Sequence, residues 1–215
     1  MFKIAIDGYM GSGKSTLAKG LCEKLGSDFK MLDTGAIFRA IAYSYYASYG
    51  DIVEESKVRE LVNTKNIEVR FIDGKQNVFI NQENVTPFLR TEVISQMASK
   101  ISIFPFVREK YLKIAKEFAI RNNCVMEGRD IGSVVMPDAD VKIFLTANEN
   151  IRAMRRFEEA KLRGQKVKFE DVLKDLRERD LRDTTRTEAP LKPCKDSIIV
   201  DNSDMNLEET IDYCY

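Results

Sequence analysis

The fold of this chain is decided by Gly8-Tyr9-Met10-Gly11-Ser12-Gly13-Lys14-Ser15. The stretch matches the pattern G-x-x-x-x-G-K-[ST], in which a glycine-rich loop surrounds phosphate groups. Residues 2–7 before it are mostly apolar and predict a buried strand, and residues 16–25 after it carry leucines four apart and predict a helix that ends at Gly26. A strand, a tight loop and a helix in this order favour phosphate binding over a glycine-rich turn without a ligand.

The chemistry of this loop predicts which residues contact a nucleoside triphosphate. Glycines allow a tight turn and a close approach of the backbone to an anion. Lys14 is expected to reach the β- and γ-phosphates, and the Ser15 hydroxyl is expected to bind Mg²⁺. The predicted nucleotide-binding residues are Gly8, Tyr9, Met10, Gly11, Ser12, Gly13, Lys14, Ser15 and Thr16.

Composition excludes several classes of protein. The 215 residues carry 34 acidic and 34 basic side chains, so the chain lacks the basic excess that a nucleic acid polymer favours. There is no histidine, which excludes a Ser-His-Asp triad and a histidine-bound metal. We expect no membrane span and no signal peptide, and the four isolated cysteines predict reduced thiols and a cytoplasmic protein.

Short apolar strands alternate with amphipathic helices along the rest of the chain. Strands are predicted near residues 30–33, 124–126, 141–145 and 197–201, which indicates a parallel sheet covered by helices on both faces. Residues 67–72 alternate with period two, Asp73-Gly74 follows, and residues 78–80 return, a pattern typical of a β-hairpin. The predicted fold class is α/β, with three α/β/α layers, five parallel strands, a small antiparallel β insert and a helical lid.

Cations gather after the predicted strands, where ligands bind in such sheets. They are Arg39 after Asp33-Thr34-Gly35, Arg129 beside Asp130, and Arg152, Arg155 and Arg156. Arg179, Asp183 and Arg186 share one face if their helix continues. Ordinary alternatives stay open here: a surface pair of Arg179 with Asp183, pairs of Arg155 and Arg156 with Glu158 and Glu159, and a solvated helix surface for Ser99 and Arg108.

The sequence strongly resembles the bacterial cytidylate kinases, a family of nucleoside monophosphate kinases. Five segments carry the resemblance: residues 6–16, residues 32–39, Ser99 with residues 104–108, residues 127–139 and residues 179–186. The stretch from Glu127 to Ala139 is long and specific, and together with the final segment, residues 179–186, it argues against chance agreement. The sequence departs from the usual family pattern at Tyr9-Met10, Phe38 and Met136, none of which removes a charged group.

The resemblance implies transfer of the γ-phosphoryl group of ATP to CMP or dCMP, with Mg²⁺, by a cytoplasmic monomer. It implies that Arg39, Arg129 and Arg186, with Thr34 and Gly35 nearby, hold the acceptor phosphate. Ser99, Arg108 and Asp130 would read cytosine, and Arg179 and Asp183 would contact the sugar. Arg155 and Arg156 would belong to a lid, so the catalytic residues would be Lys14, Arg129, Arg155, Arg156 and Arg186.

The same resemblance implies a single kinase domain over residues 1–215. Its core would comprise residues 1–34, 104–149 and 190–215. Residues 35–103 would form the monophosphate-binding region with the hairpin insert, and residues 150–189 the lid and its flanking helices. Two rivals remain: a kinase of another small acceptor such as UMP, AMP or shikimate, and a nucleotide-switched regulator of the GTPase type. The absence of an N-K-x-D segment argues against the regulator.

Overall fold

Eight strands and eight α-helices make up the chain, and the computed structural model describes all of residues 1–215. The strands are β1 (Lys3–Gly8), β2 (Phe29–Asp33), β3 (Ile67–Ile72), β4 (Lys75–Ile80), β5 (Glu83–Asn84), β6 (Asn123–Gly128), β7 (Val141–Thr146) and β8 (Ile198–Asp201). The helices are α1 (Lys14–Leu25), α2 (Thr34–Tyr49), α3 (Glu55–Thr64), α4 (Glu92–Ile101), α5 (Pro105–Arg121), α6 (Glu149–Leu162), α7 (Phe169–Thr185) and α8 (Leu207–Cys214). A 3₁₀ turn (Thr86–Phe88) and a π-helical turn (Ile131–Val135) complete the backbone.

Five parallel strands form the central sheet in the order β2-β6-β1-β7-β8, which confirms the predicted architecture. Strand β1 lies at its centre, with Ala5 opposite Met126 of β6 and Lys142 of β7. The loop after β1 therefore emerges from the middle of the sheet, beside the carboxyl ends of β6 and β7. Ligands of open parallel sheets bind at this edge.

Helices cover both faces of the sheet, which explains why its strands read as continuous apolar runs. Because side chains alternate along a strand, Ile4 and Ile6 pack on one face with Leu17 and Leu21 of α1. Ala5 points to the other face, into a larger core that includes Tyr45 of α2. The sheet is thereby a rigid base for the loops at its carboxyl edge.

The small antiparallel insert is confirmed, with a third strand that the sequence pattern did not reveal. Strands β3, β4 and β5 form this separate sheet, and β4 begins at Lys75 directly after the Asp73-Gly74 turn. The side chain of Gln76 in β4 accepts from the backbone N–H of Asp33 at 2.7 Å and donates to its carbonyl at 3.0 Å. The insert is thus fastened to the end of β2, next to the predicted acceptor site.

Particular residues set the start of helix α2 and the buried face of helix α4. Helix α2 begins at Thr34 because the Asp33 carboxylate accepts the backbone N–H of Ala36 and caps the helix. Helix α4 buries Ile94, Met97 and Ile101, whereas Val93 is exposed. No helix of the protein combines the length and apolar character that a membrane span requires.

Candidate active site

The glycine-rich loop turns directly into helix α1. Gly13 has a φ of 93°, a left-handed conformation that glycine adopts without strain, and the helix begins at Lys14. The helix starts two residues before the expected position, so Lys14 and Ser15 lie in its first turn. The unpaired N–H groups of that turn and the positive end of the helix dipole face the cavity, which favours an anion there.

Lys14 folds back over the loop. Its Nζ donates to the carbonyl of Tyr9 at 2.7 Å, and the side chain is buried. Burial, followed by repulsion from Arg129, lowers the pKa of Lys14 to about 7. A phosphate chain would supply the negative charge that this buried cation lacks.

Ser15 lies against a carboxylate from the neighbouring strand. Its hydroxyl donates to Glu127 Oε1 at 2.6 Å, and Glu127 is the last residue but one of β6, opposite Ile6 of β1. Burial, with the nearby Asp33 carboxylate, raises the pKa of Glu127. The set fits Mg²⁺, because this ion takes one or two protein oxygens and completes its shell with phosphates and water. The sequence pattern alone assigns Glu127 no role, because its place next to Ser15 depends on the strand order.

One cavity of about 830 Å³ contains both predicted parts of the site. The donor half is the glycine-rich loop, and the acceptor half comprises the residues predicted to bind the acceptor. The cavity is lined by Met10, Gly11, Gly13, Lys14, Ser15, Thr16, Thr34, Gly35, Arg39, Ser99, Arg108, Arg129, Asp130, Arg155, Arg156, Arg179, Asp183 and Arg186. Gly8, Tyr9 and Ser12 of the same loop are not among the lining residues. The Ser12 hydroxyl donates to the Tyr9 carbonyl, and the Tyr9 ring packs edge-on against Phe144. These three residues shape the loop and do not line the cavity.

A cluster of arginines surrounds Asp183. Arg129 Nε donates to the Asp183 carboxylate at 2.8 Å, and Arg186 Nη1 lies 3.9 Å from the other oxygen. Burial opposes ionisation of Asp183, but Arg129 and Arg179 outweigh it and lower its pKa. The alternative that Arg179 and Asp183 form an ordinary ion pair on the protein surface is therefore wrong. Asp183 is buried, and its hydrogen-bond partner is Arg129.

Several guanidinium groups of this cluster keep unused donors. Arg39 Nε, Arg179 Nε and Arg186 Nη2 are buried without a hydrogen-bond partner. Burial, followed by repulsion from Arg129, lowers the pKa of Arg179 to about 10. Buried donors without partners are unfavourable, so the cluster is suited to an oxyanion that supplies several acceptors at once.

A second ion pair occupies the other end of the acceptor half. Arg108 Nη2 donates to the Asp130 carboxylate, and its Nη1 donates to the carbonyl of Ser102 at 3.3 Å. The Ser99 hydroxyl is buried beside them and has no partner. Burial raises the pKa of Asp130 in spite of Arg108 and Arg186. The alternative that Ser99 and Arg108 lie on a solvated helix surface is therefore wrong. Both residues are buried and line the cavity.

Two carboxylates position these groups, one from behind the cavity (Asp7) and one from its wall (Asp33). The Asp7 carboxylate accepts the backbone N–H groups of Ile131 and Gly132 at 2.8 Å each, and it thereby holds the turn after Asp130. Burial raises the pKa of Asp7 to about 6. Asp33 holds the Arg39 Nη2 atom at 2.6 Å.

Arg155 and Arg156 both line the cavity, but each has polar partners in the protein. Arg155 donates to the side-chain and backbone oxygens of Asn202, at 3.0 and 2.9 Å. Arg156 donates to Glu159 at 2.7 Å and approaches Glu92 of α4 at 3.5 Å. The expected Arg156–Glu159 pair is present, whereas Arg155 contacts neither glutamate. Arg155 thus lies towards β8, and Arg156 towards the acceptor half.

A glycine-rich GK[ST] loop at the centre of a parallel sheet, in one cavity with a cluster of arginines, is typical of the class of P-loop kinases. Similarity to solved structures supports this fold: shikimate kinase from Acinetobacter baumannii superposes with a TM-score of 0.50 at 14% identity, covering 100% of this chain and 90% of that chain. The chain belongs to the cytidylate kinase family, whose model matches residues 4–215.

Curated relatives named cytidylate kinase match over nearly the whole chain. The protein from Caldicellulosiruptor saccharolyticus is 41% identical over 208 residues, which cover 97% of this chain and 91% of that relative. The protein from Pasteurella multocida is 38% identical over 208 residues, with the same coverage of both chains.

Proposed function

We propose that this kinase transfers the γ-phosphoryl group of ATP to CMP or dCMP and produces ADP with CDP or dCDP. The observation that carries the proposal is one cavity in which a phosphate loop faces a cluster of arginines with unused donors. The first half suits the triphosphate of ATP, and the second suits the monophosphate of the acceptor. Family membership supports the same pair of substrates.

The reaction needs alignment and charge stabilisation more than proton transfer. An oxygen of the acceptor phosphate forms a bond to the γ-phosphorus, and the bond from this phosphorus to the β–γ bridging oxygen breaks, leaving its electron pair on ADP. The acceptor is already an anion, so no strong general base is required. Lys14 would hold the β- and γ-phosphates, while Arg39, Arg129 and Arg186 would align the acceptor phosphate.

Base selection would rest on the end of the cavity that contains Ser99, Arg108 and Asp130. An ionised carboxylate accepts hydrogen bonds only, so Asp130 suits the exocyclic amine of cytosine. Arg108 donates only, so it suits the N3 and O2 acceptors of the same base. Uracil presents a carbonyl to Asp130 and an N–H to Arg108, and both mismatches leave buried polar groups without partners. Arg179 and Asp183 would contact the sugar.

Mg²⁺ would be held by the Ser15 hydroxyl and the Glu127 carboxylate, and when bound it would neutralise charge on the phosphates of ATP.

Arg155 and Arg156 would form part of a lid over residues 150–189 that excludes water during transfer. We further propose that the enzyme is a monomer, as the family resemblance implies. Residues 1–34, 104–149 and 190–215 would provide its core, and residues 35–103 its acceptor-binding region.

A coupled assay of ADP release tests the substrate assignment. Purified protein is given ATP and Mg²⁺ with CMP, dCMP, UMP, AMP or no acceptor. We expect rapid turnover with CMP and dCMP, slow turnover with UMP and AMP, and little hydrolysis without an acceptor. Preference for UMP or AMP would assign another acceptor, and equal ADP release without any acceptor would indicate an ATPase.

A further inference from the structure

The phosphate loop is held by two helices that are distant from it in sequence. Arg152 of α6 donates from Nη1 to the carbonyl of Met10 at 2.9 Å. Asp180 of α7 accepts the backbone N–H of Met10 at 3.3 Å. The same Arg152 atom donates to the Asp180 carboxylate at 2.6 Å. The ion pair of Arg152 with Asp180 therefore joins α6 to α7 and also hydrogen-bonds to the N–H and the carbonyl of Met10 in the loop.

Side-chain packing fastens the loop at the same place. The Met10 side chain is buried with Ala153 of α6 and Leu176 of α7. The Arg152 guanidinium lies over the Tyr9 ring, 5.0 Å from its centroid, a distance typical of a cation–π contact. The loop backbone at Gly11 also lies so close to Arg152 that an added Cβ would come within 2.7 Å of the Arg152 carbonyl oxygen.

The pair is specific in geometry and lies outside the cavity. The side chains of Arg152 and Asp180 are only 8% and 14% exposed, and Arg152 Nε also donates to the carbonyl of Ala147 at 2.9 Å. Only the planar fork of an arginine reaches these partners together, whereas a lysine presents one point charge. Neither residue lines the cavity, so neither is placed to touch the nucleotide.

We propose that Arg152 and Asp180 are positioning residues for the donor nucleotide. They hold the loop at Tyr9–Gly11 so that its backbone fits the phosphate chain, and they connect the loop to α6 and α7. Helix α6 carries Arg155 and Arg156, so a movement of these helices also moves the phosphate loop. This inference rests on the proposed function only in assigning the loop to ATP.

The test compares donor and acceptor binding in Arg152→Lys and Asp180→Asn. Arg152→Lys keeps the charge but cannot bind Met10 and Asp180 together, and Asp180→Asn weakens the ion pair while keeping its shape. ATP affinity is measured by calorimetry without an acceptor, and KM for ATP, KM for CMP and kcat are measured by the coupled assay. We expect ATP affinity to weaken about tenfold in both variants, since charge-assisted hydrogen bonds are lost, with KM for CMP within about twofold of wild type.

The chain offers a matched control in Arg177 and Glu149, which also join α7 to α6, with Arg177 Nη2 at 2.6 Å from Glu149 Oε1. This pair is exposed and does not touch the loop, so Arg177→Lys should leave ATP affinity unchanged. Equal weakening of ATP and CMP, no weakening of ATP, or the same loss in Arg177→Lys would overturn the proposal. If circular dichroism shows that Arg152→Lys does not fold, the ATP affinity of Asp180→Asn is used to test the proposal. If the wild-type protein binds ATP but does not phosphorylate CMP, the proposed acceptor is refuted. The comparison of ATP affinities in the variants remains valid in that case.

Discussion

The donor half and the acceptor half of the cavity are built in different ways. The donor half is a contiguous loop, Gly8 to Thr16, that offers backbone N–H groups and one buried lysine. The acceptor half draws side chains from α2, α4, α5, the end of β6 and α7. Its charges are paired with each other, as in Arg108 with Asp130 and Arg129 with Asp183, whereas Lys14 bonds only to a backbone carbonyl.

This difference follows from the cost of burying charge. A cluster of buried arginines without a ligand would repel itself, so neighbouring carboxylates balance it in the free protein. The loop avoids much of this problem because backbone N–H groups carry only partial charge. We infer that losses in the donor half weaken ATP binding or phosphoryl transfer, whereas changes in the acceptor half affect which substrate is chosen.

The largest effect is expected for Lys14→Ala. Removing a cation that would stabilise the transferring phosphoryl group should lower kcat by about 10²-fold or more. The matched control is Lys19→Ala on the same helix, whose exposed side chain pairs only with Glu23. The coupled assay measures turnover, and circular dichroism checks the fold. A variant that keeps near wild-type turnover would remove the lysine from the mechanism.

Asp130→Asn should change substrate choice in the acceptor half. An amide can turn a donor towards the uracil carbonyl, while Arg108 loses its buried counterion. We expect kcat/KM for CMP to fall by about tenfold or more and kcat/KM for UMP to fall much less. The ratio of the two values, which measures the preference for CMP over UMP, should therefore decrease. Asp138→Asn, at an exposed pair with Lys3, is the control. An unchanged ratio of CMP to UMP would show that Asp130 does not read the base.

The third prediction concerns protons taken up when ATP binds. The pKa of Lys14 is about 7 in the free protein, so the lysine is mostly neutral at pH 8. Bound phosphates favour its charged form, so binding should take up a proton, and ATP affinity should fall up to about tenfold per pH unit above pH 7. Calorimetry at pH 8 in two buffers of different ionisation enthalpy measures this uptake. It should disappear in Lys14→Met, and an uptake of zero in wild type would contradict the prediction.

The smallest effect is expected in local protection of the lid. If Arg155 and Arg156 belong to a lid, they start from a paired state, because Arg155 bonds to Asn202 and Arg156 to Glu159. We therefore expect only a modest slowing of amide exchange over residues 150–169 when both nucleotides bind. Hydrogen exchange of free and doubly liganded protein measures it, with β1 as the unchanged internal reference. Identical protection in both states would argue against a moving lid.

The sequence by itself determined the donor half and the alternation of strands and helices. A contiguous motif can be recognised without knowing the fold, because its glycines, lysine and serine act through the local backbone around them. The apolar runs near residues 2–7, 124–126 and 141–145 indicated buried parallel strands for the same local reason. Positions after predicted strands pointed to Arg39 and Arg129, but the roles of the acceptor residues came from the family resemblance, since spacing alone left surface pairs open.

Tertiary structure alone decided which distant groups meet. Glu127 reaches Ser15 because β6 pairs with β1, and no local pattern encodes that strand order. Arg152 was grouped in the sequence with Arg155 and Arg156, yet the packing of α6 against α7 aims it at Met10 and Asp180 instead. Such pairings depend on free energies of packing summed over the whole chain, so the residues that position this site become visible only once the fold is complete.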